Sequence, residues 1–172
     1  MKIVKGNEEH IDACLSIARE LSQYFNEKGI AQMGRDLRKH MIYLAKDSNE
    51  IVGFAAVNRK SKNVAEISWM AIKLQCQRKG AGSALIDFVV NELRLRGIKL
   101  LEAKTLAENV EHPPYEITRN FYEKMGFFHL KTVLNPEWGP ENPCAIYVKM
   151  LIQKIIKKGR EVCMGNGDLY AM

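Results

Sequence analysis

Six consecutive residues have the types and spacing needed to hold a phosphate group: Gln77-Arg78-Lys79-Gly80-Ala81-Gly82, the phosphate turn. Its two glycines have no Cβ to keep a ligand away from the backbone N–H groups. A helix predicted to follow, beginning around Ser83, adds N–H donors that lack an intrahelical partner. Those donors, the positive end of the helix dipole and the two basic side chains all attract an anion. We therefore predict that the turn binds a pyrophosphate.

Spacing separates this turn from two other phosphate-binding motifs. A nucleotide P-loop ends in Gly-Lys-Ser or Gly-Lys-Thr, and neither occurs in the chain. A dinucleotide fingerprint requires a small residue at the position of Leu85. One alternative without a ligand stays open, in which the turn only connects a strand to a helix.

The elements on either side of the turn fit a binding role. Residues 64–72 are rich in β-branched and aromatic types and contain neither Gly nor Pro, which indicates a mostly buried strand. After the turn, apolar residues recur at the three- and four-residue spacing of a helix with one buried face: Ala84, Leu85, Phe88, Val89 and Leu93.

Three motifs along the chain resemble those of the GCN5-related N-acetyltransferase (GNAT) family. The phosphate turn resembles the family's Gln/Arg-x-x-Gly-x-Gly/Ala motif, which binds the pyrophosphate of acetyl-coenzyme A. Glu66 lies in a segment similar to the strand that carries the catalytic glutamate in the histone-acetylating branch. The segment from Tyr115 to Phe127 is similar to the family's late helix and next strand, with its Tyr-x-x-x-Gly-Phe ending. The resemblance spans about residues 1–151.

The resemblance implies transfer of an acetyl group from acetyl-coenzyme A to a primary amine, by direct attack in a ternary complex. A lysine-like amine has a pKa near 10.4, so its deprotonation at neutral pH costs about 4.6 kcal/mol. We predict that Glu66 takes this proton, directly or through one water, because burial beside Trp69 and Met70 would favour its protonated form. In the alternative, Glu66 faces solvent or pairs with a lysine.

The resemblance also assigns groups to the thioester. The strand backbone before the turn would contact the thioester carbonyl and the pantetheine arm: Met70, Ala71 and Ile72. Tyr122 would protonate or solvate the leaving thiolate. The alternative is a tyrosine that only packs in the core at helical spacing.

The chain departs from the family pattern at one position of the late helix. Many relatives carry an asparagine seven residues before the tyrosine, where it binds the pantetheine, but Tyr115 occupies that position. Cofactor contacts there are therefore in doubt, and Thr118 and Arg119 could replace them.

Composition indicates one folded domain. The chain has 172 residues, of which 47% are hydrophobic and 27% are charged, ordinary values for a globular protein. The net charge of +6 favours acidic ligands such as coenzyme A; it also permits weak nonspecific contact with nucleic acid, although no specific nucleic-acid partner is expected. No signal peptide or membrane span is recognisable, so a cytoplasmic protein is expected. The cysteines and histidines show no ligand spacing, so we predict no metal site, and His10, His40, His112 and His129 are interpreted as surface or strand-end residues.

The predicted fold is α/β: a single GNAT-like domain over residues 1–151, with a central, mixed, mostly antiparallel sheet flanked by helices and splayed near Glu66. Asn7 is a candidate N-cap for a first helix whose buried face would run from Ile11 to Phe25, and a short second helix and loop would follow. Residues 152–172 are expected to be a basic tail. The final strand and this tail could pair with a second copy to form a homodimer.

Two other functions remain open from the sequence. A protein that keeps the phosphate turn without the chemistry would be an acyl-coenzyme A sensor or regulatory subunit. A basic surface acting as a nucleic-acid module would instead bind with an affinity that falls steeply with salt.

Overall fold

The computed structural model describes residues 1–134, 142–151, 155–157 and 160–162. The helices and strands follow one another as β1 (Lys2–Lys5), α1 (Ile11–Arg19), α2 (Glu27–Leu37), β2 (Met41–Asp47), β3 (Glu50–Arg59), β4 (Val64–Ile72), α3 (Ala81–Leu95), β5 (Leu100–Leu106), α4 (Pro113–Lys124), β6 (Phe128–Val133), β7 (Cys144–Met150), β8 (Ile155–Lys157) and β9 (Arg160–Val162).

The first seven strands form one sheet in the order β1-β2-β3-β4-β5-β7-β6. Within this sheet the pair β4–β5 is parallel and the other neighbours are antiparallel. Helix α3 is the crossover between the two parallel strands, as a parallel pair requires. The predicted α/β fold with a mixed, mostly antiparallel sheet is confirmed.

Two hydrophobic cores lie on opposite faces of the sheet, because side chains alternate along each strand. On β2, Tyr43 and Ala45 belong to the core that contains the buried face of α3 and part of α4. Ile42 and Leu44 belong to the core formed with α1 and α2. The two faces of the sheet therefore carry different helices.

The sheet opens between β4 and β5. Their parallel pairing joins residues 64–67 to residues 100–103 and ends there, although both strands continue. On its other edge β4 stays paired with β3 up to Ile72, with a register shift that leaves Ser68 as a bulge between Ile67 and Trp69. Residues 68–72 therefore have one edge without a strand partner, which is the predicted splay.

The first two helices differ from their predicted lengths. The prediction that the first helix continues to Phe25 is wrong, because α1 ends at Arg19. Residues 20–24 form turns, and Asn26, whose backbone is extended, then begins α2: its side chain accepts a hydrogen bond from Gly29 N as the N-cap. Helix α2 is then longer than expected, and its two glycines are tolerated because Ile30, Met33 and Leu37 bury one face.

The end of the chain is described only in part. Strands β8 and β9 form a separate two-stranded antiparallel sheet within the segment predicted as a basic tail. Residues 135–141, 152–154, 158–159 and 163–172 lie outside the described residues, so the domain boundary at 151 and the pairing with a second copy stay predictions. None of the helices in the described segments is long and apolar enough to cross a membrane.

Candidate active site

The phosphate turn enters α3 through left-handed backbone. Arg78 has a φ of 58°, and Gly80, the N-cap of α3, has a φ of 87°. A Cβ added at Gly80 would meet no heavy atom within 4 Å, so the space beside this residue is open. The first hydrogen bond that closes the helix runs from Ala84 N to Gly80 O at 3.0 Å. The N–H groups of the first turn before it remain available to an anion.

Two side chains of the turn are free to contact an anion, and a third attaches the turn to β4. Arg78 and Lys79 are exposed, and neither forms an ion pair with the residues that the structure describes. Gln77 is half-buried, and its amide Nε2 donates to Ile72 O at 3.0 Å. This bond attaches the turn to the end of β4 and so fixes the position of the turn relative to the splay.

Gly82 lies where α3 approaches α4 and β4. A Cβ at this position would stand 3.2 Å from Cζ of Phe121 and 3.4 Å from Cε of Met70. Because these distances are at or inside the tight end of ordinary van der Waals contact, a larger side chain would have to push one of its neighbours aside. The glycine therefore keeps the junction between the turn and the splay narrow but unobstructed.

The backbone of β4 directs donors into the splay. Lys73 N donates to Val52 O on β3, and N–H groups alternate between the two edges of a strand. By this alternation the N–H groups of Met70 and Ile72 face the open edge, whereas that of Ala71 faces β3. Two backbone donors directed to this edge are suited to a thioester carbonyl that gains negative charge.

Glu66 lies on β4, two residues before the bulge, and is 7% exposed. Its Oε2 lies 3.2 Å from Nζ of Lys60, and its Oε1 lies 3.1 Å from Nζ of Lys104. A buried carboxylate requires such compensation, and lysine pairing is the alternative that the sequence left open. Each carboxylate oxygen has more than one lone-pair site, so these ion pairs leave room for a hydrogen bond from a water or an amine.

A histidine contacts the bulge. Nδ1 of His40, the residue before β2, lies 2.8 Å from Oγ of Ser68, and this hydroxyl donates to Ala56 O at 3.1 Å. Burial lowers the pKa of His40, and the charges of Asp36 and Glu66 oppose that effect. The interpretation of His40 as a strand-end residue agrees with its position directly before β2. The sequence did not predict its contact with Ser68, because no local pattern shows where a bulge will lie.

Tyr122 lies in the core and is 6% exposed. Its ring contacts those of Phe121, Phe127 and Tyr147 at centroid distances of 5.7, 5.2 and 6.2 Å. Burial raises the pKa of Tyr122, so its hydroxyl stays protonated at neutral pH. The packed tyrosine that the sequence left open is therefore observed, and a donor role for its hydroxyl stays a proposal.

Tyr115, at the position where many GNAT relatives carry asparagine, joins two parts of the fold. Its hydroxyl donates to Tyr24 O at 2.9 Å, and the hydroxyl of Tyr24 donates to Pro114 O at 3.2 Å. The two rings meet edge to face at 5.5 Å. These contacts connect the α1–α2 segment to the start of α4 across the end of the sheet.

Thr118 and Arg119 are also held by the protein itself. Oγ1 of Thr118 donates to Pro114 O at 3.3 Å, and Nη1 of Arg119 donates to Leu106 O at 2.9 Å. The second bond ties α4 to the end of β5 beside the splay.

A separate cleft of about 570 Å³ lies beside α4. Four of its lining residues are glutamates: Glu108, Glu111, Glu116 and Glu123. Of the residues considered for the cofactor or the chemistry, Arg119 lines this cleft, whereas the phosphate turn, Glu66 and Tyr122 do not. We assign the site to the splay rather than to this cleft, because a surface rich in carboxylates repels a pyrophosphate.

Metal chemistry has no evident centre in the segments that the structure describes, where no three His, Cys, Asp or Glu side chains are grouped to hold an ion. The groups gathered at the splay are instead a phosphate turn, two backbone donors, a carboxylate and an imidazole. This set suits acyl transfer from a phosphate-bearing thioester.

Comparisons with known proteins agree with this geometry. Residues 38–128 match the family model described as the acetyltransferase (GNAT) domain. No curated protein matches the chain. Among solved structures, a protein of Desulfovibrio desulfuricans assigned to the GNAT acetyltransferases is similar with a TM-score of 0.77 and 18% identity, covering 88% of this chain and 99% of that one.

Two further structures share the fold at similar identity. An aminoglycoside 6'-N-acetyltransferase, crystallised with coenzyme A, has a TM-score of 0.69 at 17% identity, with 91% of this chain and 100% of that chain covered. A ribosomal-protein-alanine N-acetyltransferase from Brucella melitensis has a TM-score of 0.69 at 18% identity, with 87% and 99% covered. With the phosphate turn, the splay and the family model in agreement, the chain belongs to the GNAT family of acetyltransferases, whose acetyl donor is acetyl-coenzyme A.

Proposed function

We propose that this protein is an N-acetyltransferase that transfers the acetyl group of acetyl-coenzyme A to a primary amine by direct attack in a ternary complex. The observation that carries the proposal is the splay at residues 68–72, which ends at the phosphate turn. The pyrophosphate would bind the N–H groups that open α3, and the pantetheine arm would replace the missing strand partner of β4. The thioester carbonyl would accept from the N–H groups of Met70 or Ile72.

The amine is proposed to arrive from the face that carries α1 and α2. Helix α3 packs on the opposite face and would hold the pyrophosphate at its start, so we expect the carbonyl to be accessible from the α1–α2 side. Glu66 would assist removal of the amine proton, directly or through an intermediary, and the hydroxyl of Tyr122 would donate to the departing thiolate.

The acceptor class is open between small molecules and proteins. The structural neighbours include both an aminoglycoside 6'-N-acetyltransferase and a ribosomal-protein-alanine N-acetyltransferase. A test panel should therefore hold an aminoglycoside, an alanyl peptide and a lysine-containing peptide.

Replacement of Glu66 by Gln tests the proposed role of the carboxylate. We expect turnover to fall by about 100-fold or more, the usual contribution of a proton-transfer group. Affinity for acetyl-coenzyme A should stay within about threefold, because Glu66 is not part of the phosphate turn. Steady-state kinetics on the best amine of the panel and calorimetry with acetyl-coenzyme A measure the two effects.

A matched control is Glu92→Gln on α3. Glu92 also pairs with two cations, Lys5 at 2.8 Å and Arg96 at 3.7 Å, so its loss reproduces the electrostatic cost, about 1 kcal/mol or less for partly exposed pairs. The control should keep full turnover. A wild-type rate in the Glu66 variant would remove this carboxylate from the mechanism, and a protein that binds acetyl-coenzyme A without acetylating any amine would fit the sensor role.

A further inference from the structure

We propose that His40 is the first acceptor of the amine proton and that Ser68 holds its imidazole in the required tautomer. The inference rests on the proposed function and places His40 at the amine proton, with Glu66 as one of the charges that stabilise the imidazolium. It follows from the contacts at the bulge of β4.

The hydrogen bonds of Ser68 define the tautomer of His40. A serine hydroxyl has one proton, and Ser68 uses it toward Ala56 O at 3.1 Å. With that proton on Ala56 O, the Ser68 oxygen accepts from Nδ1 of His40, 2.8 Å away, in the proposed tautomer. The neutral imidazole then carries its lone pair on Nε2, and none of the described residues donates a hydrogen bond to that nitrogen.

The imidazole is fixed at the opening of the splay. His40 N donates to Asp36 O at 2.9 Å, so both the backbone and the ring of this residue are anchored. Ser68 directly follows Ile67, the last residue of β4 that pairs with β5. The ring therefore lies at the first residue of β4 beyond that pairing, where the splay begins.

The charged groups around His40 suit a proton acceptor. Asp36 on α2 and Glu66 on β4 stabilise an imidazolium, whereas Lys39 and Lys60 oppose it, and burial keeps the resting ring neutral. Glu66 already accepts from two lysines, while Nε2 of His40 is open. Imidazole is also ordinarily about two pKa units more basic than a carboxylate.

The ammonium group of the substrate gives one proton to Nε2 of His40, and the freed lone pair forms the N–C bond to the thioester carbon. The tetrahedral intermediate collapses with cleavage of the C–S bond, and the second proton of the nitrogen passes to the leaving thiolate. The imidazolium returns its proton to solvent.

The tautomer can be tested without any acceptor amine. Long-range proton–nitrogen NMR of protein labelled with ¹⁵N-histidine should show His40 protonated at Nδ1 in the neutral ring. The variant Ser68→Ala should lose this preference while keeping its fold and its affinity for acetyl-coenzyme A. A neutral His40 protonated at Nε2 in the wild type would overturn the inference.

Catalysis is tested with the best amine of the panel. His40→Gln should lower kcat/KM by about 100-fold or more, while His129→Gln, which removes an exposed imidazole on β6 that contacts Thr132, should leave it unchanged. Below the lowered pKa of His40, the wild-type plot of log kcat/KM against pH should steepen, because the imidazole is then protonated. His40→Gln should abolish this extra slope, whereas Glu66→Gln should keep it and move it to lower pH.

The outcomes separate the two proposals. An unchanged rate in His40→Gln, or a steep segment that disappears in Glu66→Gln and persists in His40→Gln, overturns the role of His40 and leaves the acetyltransferase function intact. Binding of acetyl-coenzyme A without turnover of any panel amine overturns the proposed function, and the role of His40 with it.

Discussion

Replacement of Gly80 by Asp is expected to abolish measurable binding of acetyl-coenzyme A. Wild-type protein should bind in the micromolar range. The new carboxylate would stand in the open space beside the N-cap of α3, where the pyrophosphate is proposed to bind. Two like charges about 4 Å apart repel by about 4 kcal/mol at an effective dielectric constant of 20, which corresponds to a loss of nearly 1000-fold. Isothermal titration calorimetry measures this directly.

The control for this variant is Gly97→Asp. Gly97 follows the other end of α3, has a φ of 73°, and would also present its side chain to open space. It therefore reproduces the cost of a left-handed non-glycine residue, roughly 1–2 kcal/mol, without touching the phosphate turn. Gly97→Asp should bind acetyl-coenzyme A normally, and normal binding by a folded Gly80→Asp would contradict the assignment of the turn.

Replacement of Tyr122 by Phe is expected to reduce turnover by about 100-fold while leaving stability nearly unchanged. The Phe ring keeps the contacts with Phe121, Phe127 and Tyr147, so only the hydroxyl that would donate to the thiolate is lost. Because burial raises the pKa of Tyr122, its hydroxyl should stay protonated above pH 10. We therefore expect no loss of kcat from deprotonation of Tyr122 below that pH. Kinetics at saturating acetyl-coenzyme A and thermal unfolding are the measurements.

Two variants isolate the hydroxyl of Tyr122 from its ring. Tyr147→Phe removes a hydroxyl from the same aromatic cluster, one that donates to Glu123 at 3.2 Å, and should keep full turnover. Tyr122→Ala should lose about 3–5 kcal/mol of stability through the cavity it creates. Full activity in Tyr122→Phe would assign this residue to packing alone.

The sequence predicted the strand before the turn, the turn itself and the helix after it well, because the signals for these elements are local. The strand at residues 64–72, the turn and the helix after it were each recognisable from adjacent residues, and the structure has β4 and α3 at these positions. Gly80 illustrates the reason: a left-handed N-cap in open space favours glycine at that single position.

The surroundings of Glu66 and His40 were less predictable, because they depend on contacts between segments that are distant in the sequence. Lys60 and Lys104 reach Glu66 from a loop and from another strand, and nothing near either lysine in the sequence indicates this pairing. The contact of His40 with Ser68 requires a bulge in β4, and a bulge is set by the register with β3. The apolar spacing that continues to Phe25 likewise did not show that α1 ends at Arg19 and that a second helix begins after its N-cap, Asn26.

The central claim is that acetyl-coenzyme A donates its acetyl group to a primary amine on this protein. The most direct test incubates the protein with acetyl-coenzyme A and each panel amine, and quantifies the released thiol together with the N-acetyl product by mass spectrometry. We predict equal amounts of thiol and acetylated amine with at least one amine, and neither with Gly80→Asp. Tight binding of acetyl-coenzyme A with no amide formed from any amine would contradict the claim.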